Sequence, residues 1–336
     1  MLVVGGGQAG LACGFYLRRA GVEHVVLDDQ ARPGGAWRHT WESLRLFSPA
    51  AHSSLPGWQM PAVGGYPDAQ HVVDYLARYE ERYSIPVRRE VTVTAVLAEG
   101  EGYRVSTTDG TWHAGSVLNA TGTWSRPFIP TYPGQGTFSG EQIHSAHYRS
   151  PRPYAGRRVL VIGGANSGAQ VVADLVGHAD VTWCTVRPPR FLPDDVDGRE
   201  LFRVASQRVR GQGEGVAGLG DIVVVPPVRA VRDAGLLRPV PMFERFTRGG
   251  VVWADGSGQE VDAVVWCTGF RPQLSHLAPL ALDRDGGVPR SDGPVAVGQP
   301  RLGFVGYGDW CGVASATLIG VGQWAREAVH RAVGSR

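Results

Sequence analysis

The residues of this chain with the plainest chemical use are glycines. Gly5, Gly7 and Gly10 fall in the spacing GxGxxG. That spacing turns a backbone tightly, lets it approach a pyrophosphate and packs a helix close to a strand, while the helix N-terminus lends partial positive charge. Asp28 stands 18 positions after Gly10, where a carboxylate accepts hydrogen bonds from ribose hydroxyls. A ligand-free glycine turn would show the same three glycines, so the weight rests on what surrounds them. Residues 2–4 are apolar, 11–20 read as a helix that Gly21 stops, and 24–27 read as a second strand ending at the acid. Strand, turn, helix, strand and carboxylate together point to a dinucleotide site.

The pattern then returns. Residues 159–162 read as a strand, 163–168 as a turn, 169–176 as a helix and 181–186 as a further strand, with Gly163 standing 158 positions after Gly5. Ala165 takes the middle position of this turn, where a methyl would crowd a pyrophosphate and loosen binding. No acid ends the following strand. Thr185 is followed instead by Arg187 and Arg190, which would pair with a 2′-phosphate, so NADPH is the expected ligand there. The plainer reading of both arginines is surface charge.

Two such units argue for an α/β fold with two Rossmann-like domains, the first over 1–150 and 270–336 and the second, over 151–269, inserted into it. Within the first, residues 70–83 place Val72, Leu76, Tyr79 and Tyr83 on one helical face, with Asp68 as N-cap. Residues 91–97, 103–107 and 116–119 read as a meander returning to the sheet, and 126–153 as a proline-rich passage of loops. The glycine-rich run 211–220 reads as a mobile loop.

Composition narrows the function classes. A chain of 336 residues, 43% hydrophobic and 19% charged, has material for about two ordinary globular domains. With a net charge of +2 and its arginines dispersed, it recommends neither nucleic acid nor a membrane as partner. All 33 basic residues are arginine, which removes Schiff-base and P-loop lysine chemistry. Cys13, Cys184, Cys267 and Cys311 form no CxxC pair and no metal spacing, so a reductase dithiol is absent, the thiols are expected buried and inert, and no metal is expected. No stretch approaches the roughly 20 apolar residues of a membrane span, and the start resembles no export signal, so the cytoplasm is the expected compartment. The opening strand is short, and a few further residues are expected ahead of Met1.

Between the two turns, Phe138, Gly140, His144 and Tyr148 match FxGxxxHxxxY. On this motif the chain is similar to the flavin-containing monooxygenases, whose Baeyer–Villiger relatives usually carry Trp where Tyr148 stands. Gly34-Gly35-Ala36-Trp37, Ala120-Thr121-Gly122, Cys267-Thr268-Gly269-Phe270 and Gly306-Tyr307-Gly308-Asp309 resemble further segments of that family, so the resemblance spans nearly the whole chain. The runs at 43–50, 187–198, 220–227 and 306–310 resemble the flavin monooxygenases encoded in bacterial arsenic-resistance operons.

The resemblance implies FAD in the first domain, held by Gly5, Gly7, Gln8, Ala9, Gly10, Asp28, Gly35, Trp37, Val93, Thr121, Gly122 and Asp309. It implies NADPH in the second, held by Gly163, Asn166, Ser167, Gly168, Arg187, Arg190, Thr268 and Gly269. NADPH would reduce FAD, dioxygen would add to form a hydroperoxyflavin, and a soft nucleophile (sulfur, nitrogen or trivalent arsenic) would take the distal oxygen. The partners are then a small-molecule substrate and dioxygen, with a homo-oligomer left open. Phe47 and Ser48 stand where many members place an Asn near the flavin. Ser48, His52, Trp58 and Trp310 are candidates to line a substrate cavity; no acid-base pair is demanded. His144 is expected to tie the inter-domain linker to the sheet, and Asp194, Asp195 and Asp197 to cap or stay solvated rather than bind a metal. The alternatives are an NADPH-flavin disulfide-reductase-like enzyme and a non-catalytic FAD-binding redox sensor.

Overall fold

The computed structural model describes residues 1–200 and 222–334. The glycine-rich run 211–220 lies outside the described residues, as do the first two residues of the 220–227 segment. Contacts divide the chain into two compact units: Met1–Arg38 with Ser48–Arg126 and Pro272–Arg336, and His39–Phe47 with Pro127–Arg271. The division falls earlier than residue 150 because Glu141–His144, read from sequence as loop, is a strand. Its Ile143 lies opposite Val265 in the second unit's sheet.

In the first unit the described residues form a seven-stranded sheet in the order Ser291–Asp292, Val295–Ala296, Gln299–Phe304, Val117–Asn119, Leu2–Val4, Val25–Leu27, Val87–Arg88. Leu2–Val4 and Val117–Asn119 are buried along their whole length, as parallel strands covered on both faces must be. Val4 lies opposite Leu27 on one side and Asn119 on the other. Helix Ala69–Arg82 buries Val72, Leu76 and Tyr79 of the expected face together with Tyr75, while Tyr83 is its half-buried C-cap, and Asp68 accepts from the His71 backbone N–H at 2.8 Å.

The expected meander is corrected. Val93–Glu99, Gly102–Thr107 and Gly110–Ala114 pair with one another as a separate antiparallel sheet, and Val117–Asn119 alone of that passage joins the parallel one. The alternation explains it: Tyr103 and Val105 are buried while Arg104 and Ser106 between and after them are partly exposed, the pattern of a sheet covered on one face.

In the second unit five parallel strands run in the order Pro239–Pro241, Asp180–Thr185, Arg158–Ile162, Ala263–Trp266, Glu141–His144. One face buries Tyr148, Val161, Val171, Trp183 and Val265; the other buries Leu160, Phe243, Phe246, Val264 and Trp266. Helix Asn166–Leu175 begins at the glycine turn itself, three residues earlier than periodicity suggested. Among the described residues no helix is long and apolar enough to cross a membrane.

Candidate functional site

The first glycine turn is held by its own backbone. The Gly5 N–H donates to the Leu27 carbonyl at 2.7 Å, and Gly5 takes φ +103°, a conformation L side chains rarely adopt. A Cβ on Gly5 would stand 2.5 Å from the Ala120 carbonyl oxygen, and one on Gly10 only 1.8 Å from the Gly5 oxygen. These two glycines are therefore required by packing. Gly7 is not: a Cβ there would meet only the Gly35 Cα, at 3.9 Å. The folded chain leaves room at position 7, and that room opens on a cavity of about 250 Å³. Such a slot of bare backbone at a helix N-terminus fits a pyrophosphate.

The cavity brings together the expected Gly5, Gly7, Gln8, Ala9, Asp28, Gly35, Trp37, Val93, Thr121 and Gly122. Gly10 is not in its wall and packs beneath it; Asp309 is outside the wall too, with Oδ1 accepting from the Ala314 N–H at 3.1 Å. Gln8 is anchored at both ends, its Oε1 accepting from Trp37 Nε1 at 3.0 Å and its Nε2 donating to the Ala316 carbonyl at 2.8 Å. That clamp holds Trp37 at the helix N-terminus. Thr121 donates its backbone N–H to the Tyr307 hydroxyl at 3.1 Å, and its own hydroxyl donates to the Gln273 carbonyl at 2.5 Å.

Asp28 is buried, which pushes its carboxyl above the usual carboxylate range, while the Gly6 backbone and Arg89 pull it back down. Arg89 pairs with Asp28 and with Glu80 at once. This ion-paired network was not found from sequence, because nothing local links Asp28 to a partner 61 positions away. His276 was missed for the same reason. It lines the cavity and bonds through Nε2 to Asn119 Oδ1 at 2.8 Å.

The second turn repeats the backbone solution. Gly163 takes φ +137°, a Cβ on it would stand 2.3 Å from the Cys267 carbonyl oxygen, and one on Gly168 would stand 2.0 Å from the Gly163 oxygen. Trp183 Nε1 donates to that Gly163 oxygen at 2.8 Å. Ala165 caps the helix in extended conformation, as Gly7 does in the first unit, with Asn166 and Ser167 following. Asn166 Oδ1 accepts from the Val223 N–H at 2.8 Å. Register identifies the counterpart of Asp28: Val4 opposes Leu27 and Ile162 opposes Cys184, so the next residue, Thr185, holds the acid's place. Arg187 and Arg190 are exposed beyond it. Thr268 and Gly269 are tied to Phe128, the Thr268 hydroxyl donating to the Phe128 carbonyl and the Gly269 carbonyl accepting from the Phe128 N–H at 3.0 Å.

The FxGxxxHxxxY residues build the second unit. Phe138 packs in its aromatic core, Gly140 sits against the Phe138 ring, and the Tyr148 hydroxyl donates to Asp174 at 2.7 Å. His144 is buried edge-on to Phe270, and its Nδ1 accepts from the Ala146 N–H at 3.0 Å, so it ties down its own turn. Burial lowers its pKa. Of the aspartates at 194–197, Asp194 pairs with Arg232 and Asp197 with Arg199. The substrate-cavity candidates Ser48, His52, Trp58 and Trp310 are not in the cavity wall. Trp58 lies against Tyr75 beneath the Arg82 guanidinium, Trp310 packs on Phe304 and Tyr307, the Ser48 carbonyl accepts from Ser53, and His52 is exposed.

Two glycine-turn units, one opening on a cavity fit for a dinucleotide, define a two-dinucleotide oxidoreductase. Residues 2–197 match the family model described as pyridine nucleotide-disulphide oxidoreductase. The flavin-containing monooxygenase from Stenotrophomonas maltophilia is 50% identical and superposes with a TM-score of 0.92, covering 99% of this chain and 97% of that one. An uncharacterized CzcO-like oxidoreductase of Geobacillus kaustophilus is 29% identical over 96% of this chain and 94% of its own. The rice (Oryza sativa subsp. japonica) indole-3-pyruvate monooxygenase YUCCA4 is 27% identical over 91% and 84%. The chain belongs to the pyridine nucleotide-disulphide oxidoreductase family and, within it, to the flavin monooxygenases. It is a flavin-dependent monooxygenase, and its cofactors are FAD and NADPH.

Proposed function

We propose that the chain is an NADPH-dependent oxygenase of soft nucleophiles, inserting one atom of dioxygen into sulfur, nitrogen or trivalent arsenic. The observation that carries this reading is the state of the cysteines. All four are buried and free, and burial pushes the Cys13, Cys184 and Cys267 thiols up to about 12 and raises Cys311 as well. A disulfide reductase needs a reachable thiolate, so the electrons have oxygen rather than a protein dithiol as their destination. When bound, FAD supplies oxygen activation and NADPH the two electrons.

The residues of this chain hold and orient. Gly5 to Ala9 and Gly35 form the pyrophosphate slot, Asp28 takes the ribose of FAD, Val93 borders the nucleotide, and Trp37, held by Gln8, closes the cavity wall against water. In the second unit Gly163 to Gly168 receive the NADPH pyrophosphate. Arg187 and Arg190 meet the 2′-phosphate, favoured by the absence of a carboxylate at Thr185. The four thiols are buried and dispersed along the chain, so an arsenic substrate would be held by other groups. The arsenic-resistance resemblance is one arm of the test. A small-molecule substrate, dioxygen and a cytoplasmic setting complete the reading.

The test is NADPH consumption against arsenite, methylarsenite, thioethers, amines and indole-3-pyruvate under labelled dioxygen. Label in an S-, N- or As-oxide is the expected outcome. NADPH oxidation that yields only hydrogen peroxide with every candidate would overturn the proposal.

A further inference from the structure

The cavity wall of the first unit contains a group whose bonding pattern specifies what it can meet. Asn119 Nδ2 donates to the Gly303 carbonyl at 3.0 Å, which orients the amide and aims Oδ1 at His276. An amide oxygen only accepts, so His276 Nε2, 2.8 Å away, carries the hydrogen of that bond. The ring is 3% exposed, and burial holds it neutral by lowering its pKa to about 4. A neutral imidazole with hydrogen on Nε2 presents a bare lone pair at Nδ1. Among the described residues no group donates to that lone pair, and His276 lines the cavity.

The surroundings keep it in place. The Gln273 N–H donates to the Gly122 carbonyl at 3.0 Å and the Gln273 carbonyl accepts from Thr121, tying the start of the 3₁₀ turn Ser275–Leu280 to the cavity wall. A fixed acceptor lining a cavity complements a donor and repels phosphate or ring-carbonyl oxygens, which only accept.

We propose that His276 is a further ligand-holding residue: its Nδ1 accepts a hydrogen bond from a hydroxyl or amino group of the bound FAD. This rests on the reading of the cavity as the FAD site.

The test uses apo-protein prepared by removing flavin from the full chain and titrated with FAD by flavin fluorescence. Wild-type binding is the control, and its absence would reject the FAD cavity itself. Given that control, His276→Met, which keeps bulk but has no comparable acceptor, is expected to raise Kd about tenfold, the scale of one neutral hydrogen bond. His276→Gln supplies both an N–H for Asn119 and an oxygen acceptor, and is expected to stay within about threefold of wild type. Thermal unfolding of each apo-variant separates lost binding from lost fold. Titration with ADP locates the donor: weakening equal to that for FAD places it in the ADP half, unchanged ADP affinity in the riboflavin half. A folded Met variant that binds FAD as tightly as wild type, or a Gln variant as weak as the Met variant, overturns the assignment.

Discussion

The two glycine turns solve one backbone problem identically and then part company. In both, the first glycine adopts a left-handed conformation, and the last leaves no space for a Cβ beside the first glycine's carbonyl. They differ at the two positions a nucleotide would touch. Gly7 leaves a slot where Ala165 places a methyl, and buried Asp28 offers a carboxylate where Thr185 offers a hydroxyl. Packing glycines and ligand glycines are thus separable: the first kind is required by the fold at both turns, the second appears at one. The acid is likewise confined to the turn whose cavity it lines, where Arg89 and Glu80 surround it.

The largest expected effect breaks the shared half of the comparison. Gly10→Ala and Gly168→Ala each push a Cβ into a carbonyl at 2.0 Å or less, so each should lose about 3 kcal/mol or more of stability to urea unfolding. Losses below about 1 kcal/mol at either site would show that the turns can relax and that packing does not demand the glycine.

A pH profile probes the cavity wall that distinguishes the first unit. His276 has a folded pKa near 4 against an ordinary 6.5. Its contribution is fully present above pH 6.5 and is lost as pH falls towards 4, about 3 kcal/mol at roughly 1.4 kcal/mol per unit. His24 and His144, whose pKa values are also lowered by burial, act with the same sign. His276→Gln should flatten the slope of stability against pH in this window; an unchanged slope would remove His276 as its source.

At the second turn the ligand-facing difference is tested by charge. Arg187→Ala should raise the KM for NADPH about tenfold, near 1.4 kcal/mol, and leave that for NADH nearly unchanged. Equal effects on both would leave no role for the 2′-phosphate.

The smallest effect comes from exchanging the middle residues. Gly7→Ala should weaken FAD about threefold with apo-stability almost unaltered, since the protein itself has room there, and Ala165→Gly should lower the KM for NADPH by a similar factor. If Gly7→Ala destabilises the apo-protein as much as Gly10→Ala does, the two kinds of glycine are not distinct.

Much of the candidate site was legible because it is local. Both turns, Asp28, Trp37 and the Thr121-Gly122 crossover announce themselves within short segments whose spacing follows from strand and helix geometry, and the first cavity gathers Asp28, Trp37, Thr121 and Gly122 around the first turn. The aromatic candidates lie outside that cavity. Trp58 and Trp310 are large enough to suggest a substrate wall, yet each is taken up by packing, Trp58 on Tyr75 and Trp310 on Phe304. An amphipathic ring reads the same in a core and in a cavity. The strand Glu141–His144 was hidden among prolines and turn residues, and only its pairing with Ala263–Trp266 reveals it.

The amino-acid order alone determined that two strand-turn-helix units exist, which glycines open them, and that no lysine or cysteine pair competes for the chemistry, because each of these is set by residue type and near-neighbour spacing. Tertiary structure alone decided that Arg89 meets Asp28 across 61 positions and that Asn119 orients His276 across 157. Those relations depend on strand register and on which loops return to the same sheet edge, and a hydrogen bond between distant residues leaves no periodic trace in the chain that makes it.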